Sequence, residues 1–347
     1  MAERITLDLS PSLASDSSQW LRRIAQFRFP VNRKAVFEVV LTLGLFAASW
    51  WVMLLLSSYS IWLGLLWALP TAGLMVRLFI IQHDCGHGAM FSSRRANNWI
   101  GRMLGALTMT PYDMWKHSHA LHHASSGHLD KRGIGDITTL TVREYLALGR
   151  VRRLLYRAYR HPVVMFGVGP AYHFILQQRL PVGAMSSGLM PWASTMLTNA
   201  GILALSALLV WYLGWERFVA LHLPVVWLGA SIGVWLFYVQ HQFEETSWER
   251  DPDWTHASSA LDGSSYYDLP RPLMWITGNI GIHHIHHLCS RIPFYRLTEA
   301  LQACPELKTQ GRITLGRSLA CVRLTLWDED QKRLVPFKAL RAGSIAA

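Results

Sequence analysis

The chain has 347 residues, of which 51% are hydrophobic and only 16% carry a charge, and its mean hydropathy is +0.18. In a soluble domain of this size, about a quarter of the residues would be charged. The composition therefore predicts a single membrane domain that spans residues 1–347. The net charge of +11 does not indicate a nucleic-acid partner, because the cytoplasmic flanks of membrane spans also collect Lys and Arg.

Two apolar tracts in the N-terminal half each have about the 20 residues that cross a bilayer core. They cover residues 36–57 and 61–81, and the short connection between them predicts a helical hairpin. The second tract contains one charge, Arg77, which is close enough to the end of the tract for its side chain to reach the interface.

The region between this hairpin and the next pair of apolar tracts contains both polar and moderately apolar segments. Residues 97–110 are interpreted as interfacial. Residues 161–180 are moderately apolar but interrupted by proline and glycine, which favours an interfacial or half-inserted helix over a span.

A second hairpin is predicted from the apolar tracts at residues 192–213 and 218–239, which are also closely spaced. The chain turns polar after Leu288, and we expect an amphipathic helix near residues 318–335. The predicted fold is therefore all-α and integral to the membrane, with four transmembrane helices arranged as two hairpins.

Positive charge indicates which side of the membrane each segment occupies. The hairpin turns contain a single basic residue, Arg217, whereas many flank the outer ends of the first hairpin. Those residues are Arg22, Arg23, Arg28, Arg33, Lys34, Arg94, Arg95, Arg102 and Lys116. The positive-inside rule therefore predicts cytoplasmic termini and a cytosolic cap formed by residues 82–191 and 240–347.

Most of the sixteen histidines lie in three clusters, HDCGH, HALHH and HHIHH. Offsets of three and four residues place imidazoles on one face of a helix, where they can converge on a metal. Neutral imidazole suits iron, zinc, copper and nickel. The positions with these offsets are His83, His87, His119, His122, His123, His283, His286 and His287.

The predicted topology returns all three clusters to one side of the membrane, because two crossings separate the second cluster from the third. Eight ligands exceed what one tetrahedral or octahedral ion needs, so two metals are implied. His241, where the fourth tract ends on the same side, is a ninth candidate. His117 and His284 are interpreted as neighbours, His128 as a possible supporting group, and His161, His173, His222 and His256 as loop, interface or structural residues.

At these residues the sequence resembles the membrane fatty-acid desaturases, specifically the bacterial acyl-lipid branch that is similar to plant omega-6 (delta-12) desaturases. The family's HxxxH, HxxHH and HxxHH boxes match the three clusters. The resemblance extends from about residue 35 to the tail, with matching segments at residues 82–88, 129–136, 139–145, 278–281 and 291–297. It implies four spans, an acyl tunnel and a di-iron cap, with His241 at the position of an additional ligand.

The resemblance also implies the chemistry. Two irons would use O2 to remove two hydrogens from adjacent carbons of a membrane lipid's acyl chain, leaving a cis double bond, since ordinary acid–base side chains cannot attack such methylenes. No haem, flavin or iron–sulfur motif occurs in the sequence, so the external electrons are expected from ferredoxin or a b-type cytochrome docking on the basic cytosolic face. A bacterial inner membrane is the expected location.

Polar residues near the clusters are candidates for orienting the ligand imidazoles, which usually donate their second N–H to a carboxylate or carbonyl. These candidates are Asp84, Asp130, Asp136 and Asn279. Tyr112, Trp115 and the region of Trp99 could line the acyl path or anchor the interface.

Two other functions compete with desaturation. A membrane di-iron hydroxylase or carotenoid oxygenase uses similar boxes, and its product depends on the geometry of its pocket. A histidine-rich metal transporter or haem electron carrier would place its ligands at mid-membrane depth, whereas these clusters follow the ends of the spans.

Overall fold

A computed structural model describes residues 19–133 and 135–341 of the chain and shows a largely helical protein. Residues 19–25 are helical. The α-helices that follow are α1 (Asn32–Tyr59), α2 (Ile61–Gly86), α3 (Arg94–Leu107), α4 (Tyr112–Ser125), α5 (Val142–Ala147), α6 (Arg150–Tyr159), α7 (Gly169–Ala171), α8 (Leu189–Leu213), α9 (Trp215–His241), α10 (His256–Asp262), α11 (Arg271–Ile276), α12 (His283–Leu288), α13 (Leu297–Ala303) and α14 (Leu315–Cys321).

Short irregular helices and strands complete the described part of the chain. The 3₁₀ turns cover Gln26–Arg28, Gln177–Arg179, Phe294–Arg296, Pro305–Lys308 and Phe337–Arg341, and π-helical turns cover Val164–Val168 and Tyr172–Leu176. The strands are β1 (Leu140–Thr141), β2 (Tyr266–Asp268), β3 (Arg312–Thr314), β4 (Leu326–Asp328) and β5 (Arg333–Val335). They form two small sheets with orders β1-β4-β5 and β2-β3.

Within the described residues, four helices, α1, α2, α8 and α9, are long and apolar enough to cross a membrane. They contain the four predicted tracts and confirm the two hairpins. Ser60 alone joins α1 to α2, and Gly214 alone joins α8 to α9. Gly214 has a φ of 77°, a backbone conformation that glycine adopts without steric cost.

Burial differs sharply among the four long helices. In an apolar stretch of 18 residues from each helix, 61% of the residues of α2 are buried inside the protein, whereas only 6% of those of α8 are buried. Helix α2 therefore lies at the centre of the bundle, where its inner end can meet other elements. The apolar side chains on the outside of α8 have an apolar environment only if lipid surrounds them.

Residues 161–180, predicted as an interfacial or half-inserted helix, are largely helical and pack along α9. The Phe166 ring lies 5.0 Å from that of Trp235 and 5.1 Å from that of Tyr238. Further from the inner end of α9, the Trp227 indole N–H donates to the Gly167 carbonyl at 3.0 Å. The segment thus follows α9 over about three turns.

Arg77 differs from its predicted role. Its side chain does not reach an interface but is buried (1% exposed) inside the bundle. It forms an ion pair with Glu38 of α1 at 2.6 Å and also donates to the Trp275 carbonyl. The pairing overrides snorkelling because α1 places a carboxylate within reach of a charge that would otherwise be buried alone.

The predicted amphipathic helix at residues 318–335 is wrong. Helix α14 ends at Cys321, and β4 and β5 then pair antiparallel as a hairpin, with β1 parallel to β4. The Asp328 carboxylate accepts the backbone N–H groups of Asp330 and Gln331 at 3.0 and 3.1 Å. Such local side-chain bonds favour a turn over a continuing helix.

Candidate metal centre

The clustered histidines are carried by the ends of the two inner membrane helices and by two short cap helices. His83 lies in the last turn of α2 and His87 caps it, while His241 is the last residue of α9. Helix α4 carries the second cluster and α12 the third. The inner ends of α2 and α9 therefore bring their histidines to the helices of the cap.

The nine predicted residues meet in two groups. The rings in each group offer one nitrogen apiece, and these nitrogens all lie within 4.8 Å of one another. The first group contains His83, His87, His119, His123 and His286. The second contains His122, His241, His283 and His287. Each group draws on more than one sequence cluster, because adjacent residues of α4 and of α12 point to different groups.

The spacing of the nitrogens fits metal ligation. In the first group, the Nε2 atoms of His87 and His119 are 3.0 Å apart, and those of His119 and His123 are 3.1 Å apart. In the second, His241 Nε2 is 3.1 Å from the Nε2 atoms of both His122 and His283. Neighbouring ligands about 2.1 Å from one ion have nearly this separation.

The protonation of the rings also fits. Burial lowers the pKa of His119, His123 and His286 well below the ordinary value, and it does the same for His87. These imidazoles are therefore neutral at physiological pH and keep a lone pair for a metal.

Two rings of the second group likewise have a lowered pKa, and His287 has a buried nitrogen without a hydrogen-bond partner. Burial lowers the pKa of His283 and His287 well below the ordinary value. His287 Nε2 is buried without a hydrogen-bond partner, an arrangement that costs free energy in a protein interior. An ion bound among these rings would give that nitrogen a partner.

In three of the nine histidines, the Nδ1 atom has an acceptor of the kind that orients ligand histidines. His83 Nδ1 is 2.9 Å from a carboxylate oxygen of Asp84, and His122 Nδ1 contacts Asp136. His241 Nδ1 is 3.2 Å from the Gly263 carbonyl oxygen. The sequence did not indicate Gly263, because a backbone acceptor can belong to any residue type.

The other two candidate supporting residues have different contacts. Asp130 pairs with Arg250 on the surface, and its backbone N–H donates to His128 Nδ1 at 3.2 Å. The Asn279 amide donates to the Phe294 carbonyl at 3.4 Å. Both residues therefore help to fix neighbouring loops.

Among the aromatic candidates, Trp115 lies directly against the site. Its ring stacks on His119 with centroids 4.5 Å apart and an interplanar angle of 17°. A Cβ at Gly86 would come within 2.9 Å of the Trp115 ring, so glycine permits this approach. The Tyr112 hydroxyl donates to the Cys85 carbonyl at 2.9 Å, whereas Trp99 is 63% exposed.

The remaining cap histidines nearest the clusters have contacts outside the two groups. His284 Nε2 is 3.0 Å from the Leu307 carbonyl, although the residue lies in α12 between ligand candidates. His128 Nε2 is 3.3 Å from the Asp251 carboxylate. His117 is exposed. These positions agree with the interpretation of His117 and His284 as neighbours. The contacts of His128 are with Asp251, the Asp130 backbone and the Trp254 ring, so its supporting role stays a prediction.

Comparison with known proteins identifies the family. Residues 60–312 match the family model described as fatty acid desaturase. The chain is 41% identical to a fatty acid desaturase of Bacillus subtilis (strain 168), over 95% of this chain and 93% of that protein. It is 30% identical to the sn-1 acyl-lipid omega-3 desaturase (ferredoxin) of Synechocystis sp. (strain ATCC 27184 / PCC 6803 / Kazusa), over 65% of this chain and 63% of the relative.

A plant relative extends the comparison. The omega-3 fatty acid desaturase, endoplasmic reticulum, of Vigna radiata var. radiata is 28% identical over 67% of this chain and 63% of its own length. The family model covers most of the chain, and the Bacillus subtilis relative matches nearly all of it. The chain is an oxidoreductase that belongs to the fatty acid desaturase family.

Proposed function

We propose that the chain is an O2-dependent di-iron desaturase that introduces a cis double bond into the fatty acyl chains of membrane lipids. The observation that supports this most directly is the meeting of nine histidines in two adjacent groups where two membrane-length helices end. A delta-12 (omega-6) position is proposed from the resemblance in sequence. The Vigna radiata and Synechocystis relatives are both named omega-3 desaturases, so the omega-3 position must be tested beside it.

Each group of histidines would hold one iron. When bound, the pair of irons would supply the chemistry that removes two hydrogens from adjacent methylene carbons, in a reaction that consumes O2, two electrons and two protons and forms two molecules of water. The neutral rings supply nitrogen lone pairs, and Asp84 and Asp136 would accept the outer N–H groups of His83 and His122, fixing their tautomers. The burial of the rings would keep bulk water away from the bound irons.

The proposed membrane arrangement follows from charge. The cap would lie in the cytosol of a bacterial cell, with the four long helices in its inner membrane and the acyl chain reaching the irons from the bilayer. The chain would form one domain with both termini cytoplasmic. The termini themselves, residues 1–18 and 342–347, lie outside the described residues.

The electrons would come from a separate carrier, ferredoxin or a b-type cytochrome. The name of the Synechocystis relative includes ferredoxin, which supports the first of these. The carrier would dock on the basic cytosolic face, and no nucleic-acid partner is proposed.

Product analysis tests the proposal. Expression in a bacterial host that lacks polyunsaturated lipids should give a new diene, measured by gas chromatography–mass spectrometry of the fatty acids. The mass spectra of derivatised double bonds then distinguish the delta-12 from the omega-3 position, with a host fed the required precursor for the latter. Hydroxylated acyl chains or altered carotenoids in place of new double bonds would contradict desaturation.

Topology is tested by labelling cysteine variants at Ala120 and Arg291 in sealed vesicles, with the equally treated parent chain as the control for the native cysteines. Both positions are exposed, the first on α4 and the second three residues after α12. Both sites should be accessible from the cytosolic side alone. Labelling from opposite sides would exclude a shared metal centre.

An Asp136→Asn variant should lower iron affinity or activity by roughly 10–100-fold, because the amide presents no charged acceptor to the His122 N–H. Bound iron is measured by elemental analysis after dialysis against a graded chelator, and turnover by product formation.

Asp130→Asn is the matched control, since Asp130 pairs with Arg250 on the surface. Exposed ion pairs contribute about 0–1 kcal/mol, so this variant should keep iron and activity. Equal losses in the two variants would contradict a specific role for Asp136.

A further inference from the structure

Helix α6 presents an apolar face to the outside of the protein. Val151, Leu154 and Leu155 are 71%, 68% and 64% exposed, and their spacing places them on one side of the helix. Tyr156, on the opposite side, is buried against the cap. An outward apolar face of this kind needs an apolar neighbour, because exposure of such a surface to water is unfavourable.

Three arginines follow one edge of that face. Arg150, Arg153 and Arg157 are spaced three and four residues apart and line a groove of about 330 Å³. The other residues that line it are Tyr145, Leu146, Leu154 and Leu340. The groove therefore combines concentrated positive charge with apolar walls.

Contacts with the cap hold two of these guanidinium groups in place. Arg157 Nε donates to the Tyr145 hydroxyl at 2.6 Å, and Arg153 Nε donates to the Leu148 carbonyl at 2.8 Å. Each guanidinium has five N–H donors, so further donors can bind an anion in the groove. The arginines are therefore partly preorganised for a phosphate.

The residues after α6 fix its level relative to the membrane helices. Arg160 donates to the Tyr238 hydroxyl at 3.2 Å and to the Gln242 side-chain oxygen at 3.1 Å. These partners lie at the inner end of α9, which ends at His241. The C-terminal end of α6 thus lies at the level where a membrane helix ends, which is the level of lipid headgroups.

We propose that this groove binds the phosphate headgroup of an anionic phospholipid, while Val151, Leu154 and Leu155 enter the acyl layer. A basic helix with an apolar face is the form that lies in a membrane interface and attracts anionic lipid. The outward direction of the apolar face favours lipid over a soluble acidic partner, which would leave the leucines in water.

The test titrates the purified full-length chain, in non-ionic detergent, with dioleoylphosphatidylglycerol or dioleoylphosphatidylcholine. Native mass spectrometry counts retained lipid. The chain should retain phosphatidylglycerol preferentially, and Arg150→Gln with Arg157→Gln should raise the concentration for half-saturation roughly tenfold. Arg150→Gln alone should give a smaller rise, and it removes an exposed side chain without disturbing the Tyr145 contact.

Charge-matched variants make the result specific. Arg150→Lys with Arg157→Lys should preserve most of the preference, since the charge is kept. Arg94→Gln with Arg95→Gln removes two exposed charges elsewhere and should leave it unchanged. The proposal would be overturned if Arg150→Gln with Arg157→Gln left lipid binding unaltered, or if Arg94→Gln with Arg95→Gln weakened it equally. Full displacement of the lipid by excess inorganic phosphate would also overturn it.

An environment-sensitive fluorophore attached to a Leu154→Cys variant tests whether the apolar face of α6 lies in lipid. The parent chain, treated in the same way, gives the signal from the native cysteines, which is subtracted. In phosphatidylglycerol vesicles the emission should shift to the blue, as in an acyl environment. Emission typical of water would overturn the proposal. A shift that disappears when the protein is diluted with more lipid would also overturn it, because a second copy of the chain would then cover the face.

Discussion

If the proposed assignment of one iron to each group holds, His286→Ala and His287→Ala should each abolish desaturation, although the two rings belong to different groups. The two residues are adjacent in α12, but His286 belongs to the first group of rings and His287 to the second. The loss of activity should exceed the roughly 10–100-fold effect of losing a supporting residue. Elemental analysis of the purified variants should show iron depleted in both, and iron spectroscopy should show loss of the paired centre.

His284→Gln is the matched control for this pair. His284 is also buried in α12, but its Nε2 bonds the Leu307 carbonyl. The variant should keep iron and lose only about 1 kcal/mol of stability from the altered hydrogen bond. Full iron content and activity in either alanine variant would refute the ligand assignment.

Arg77→Met is expected to cause the largest loss of stability, about 3–5 kcal/mol, because it leaves Glu38 without its charged partner inside the bundle. The arginine also donates to Thr42 Oγ1 at 3.2 Å and lies 4.1 Å from the centre of the Trp275 ring. The substitution therefore weakens the contacts of α2 with α1 and with α11, which contains Trp275. Equilibrium unfolding in detergent micelles measures the free energy of unfolding.

A double-mutant cycle with Glu38→Gln separates the ion pair from packing. The double variant should lose less stability than the sum of the two single variants, since neither charge is then buried alone. Arg217→Met is a suitable comparison, because Arg217 bonds neutral partners, including Ser57 Oγ at 2.8 Å, and should cost less. Additive losses in the cycle would contradict a coupled pair.

Local pattern was sufficient for much of the architecture. Apolar length and charge in the sequence predicted the four long helices, and α2 and α9 contain the predicted tracts. The offsets within the histidine clusters predicted which rings share a helix face. These features depend on residues that are near neighbours in sequence, so helical geometry alone determines them.

The same reasoning failed where a residue's partner is distant along the chain. Arg77 was expected at an interface, yet Glu38 of α1 holds it inside. Residues 318–335 contain a hairpin that pairs with β1, almost 200 positions earlier. In each case a long-range contact outweighs the local preference, because pairing a buried polar group recovers free energy that the isolated segment cannot.

The sequence by itself determined the helical membrane class, the two hairpins and the nine histidines that come together. Only the tertiary structure decided how those histidines divide into two groups, so that His122 joins His241 while its neighbour His123 joins His87. It also decided that Asp136 and the Gly263 carbonyl meet ligand rings whereas Asp130 meets Arg250. The physical reason is that spacing orients side chains around one helix axis, while the packing of α2, α4, α9 and α12 sets where those axes converge.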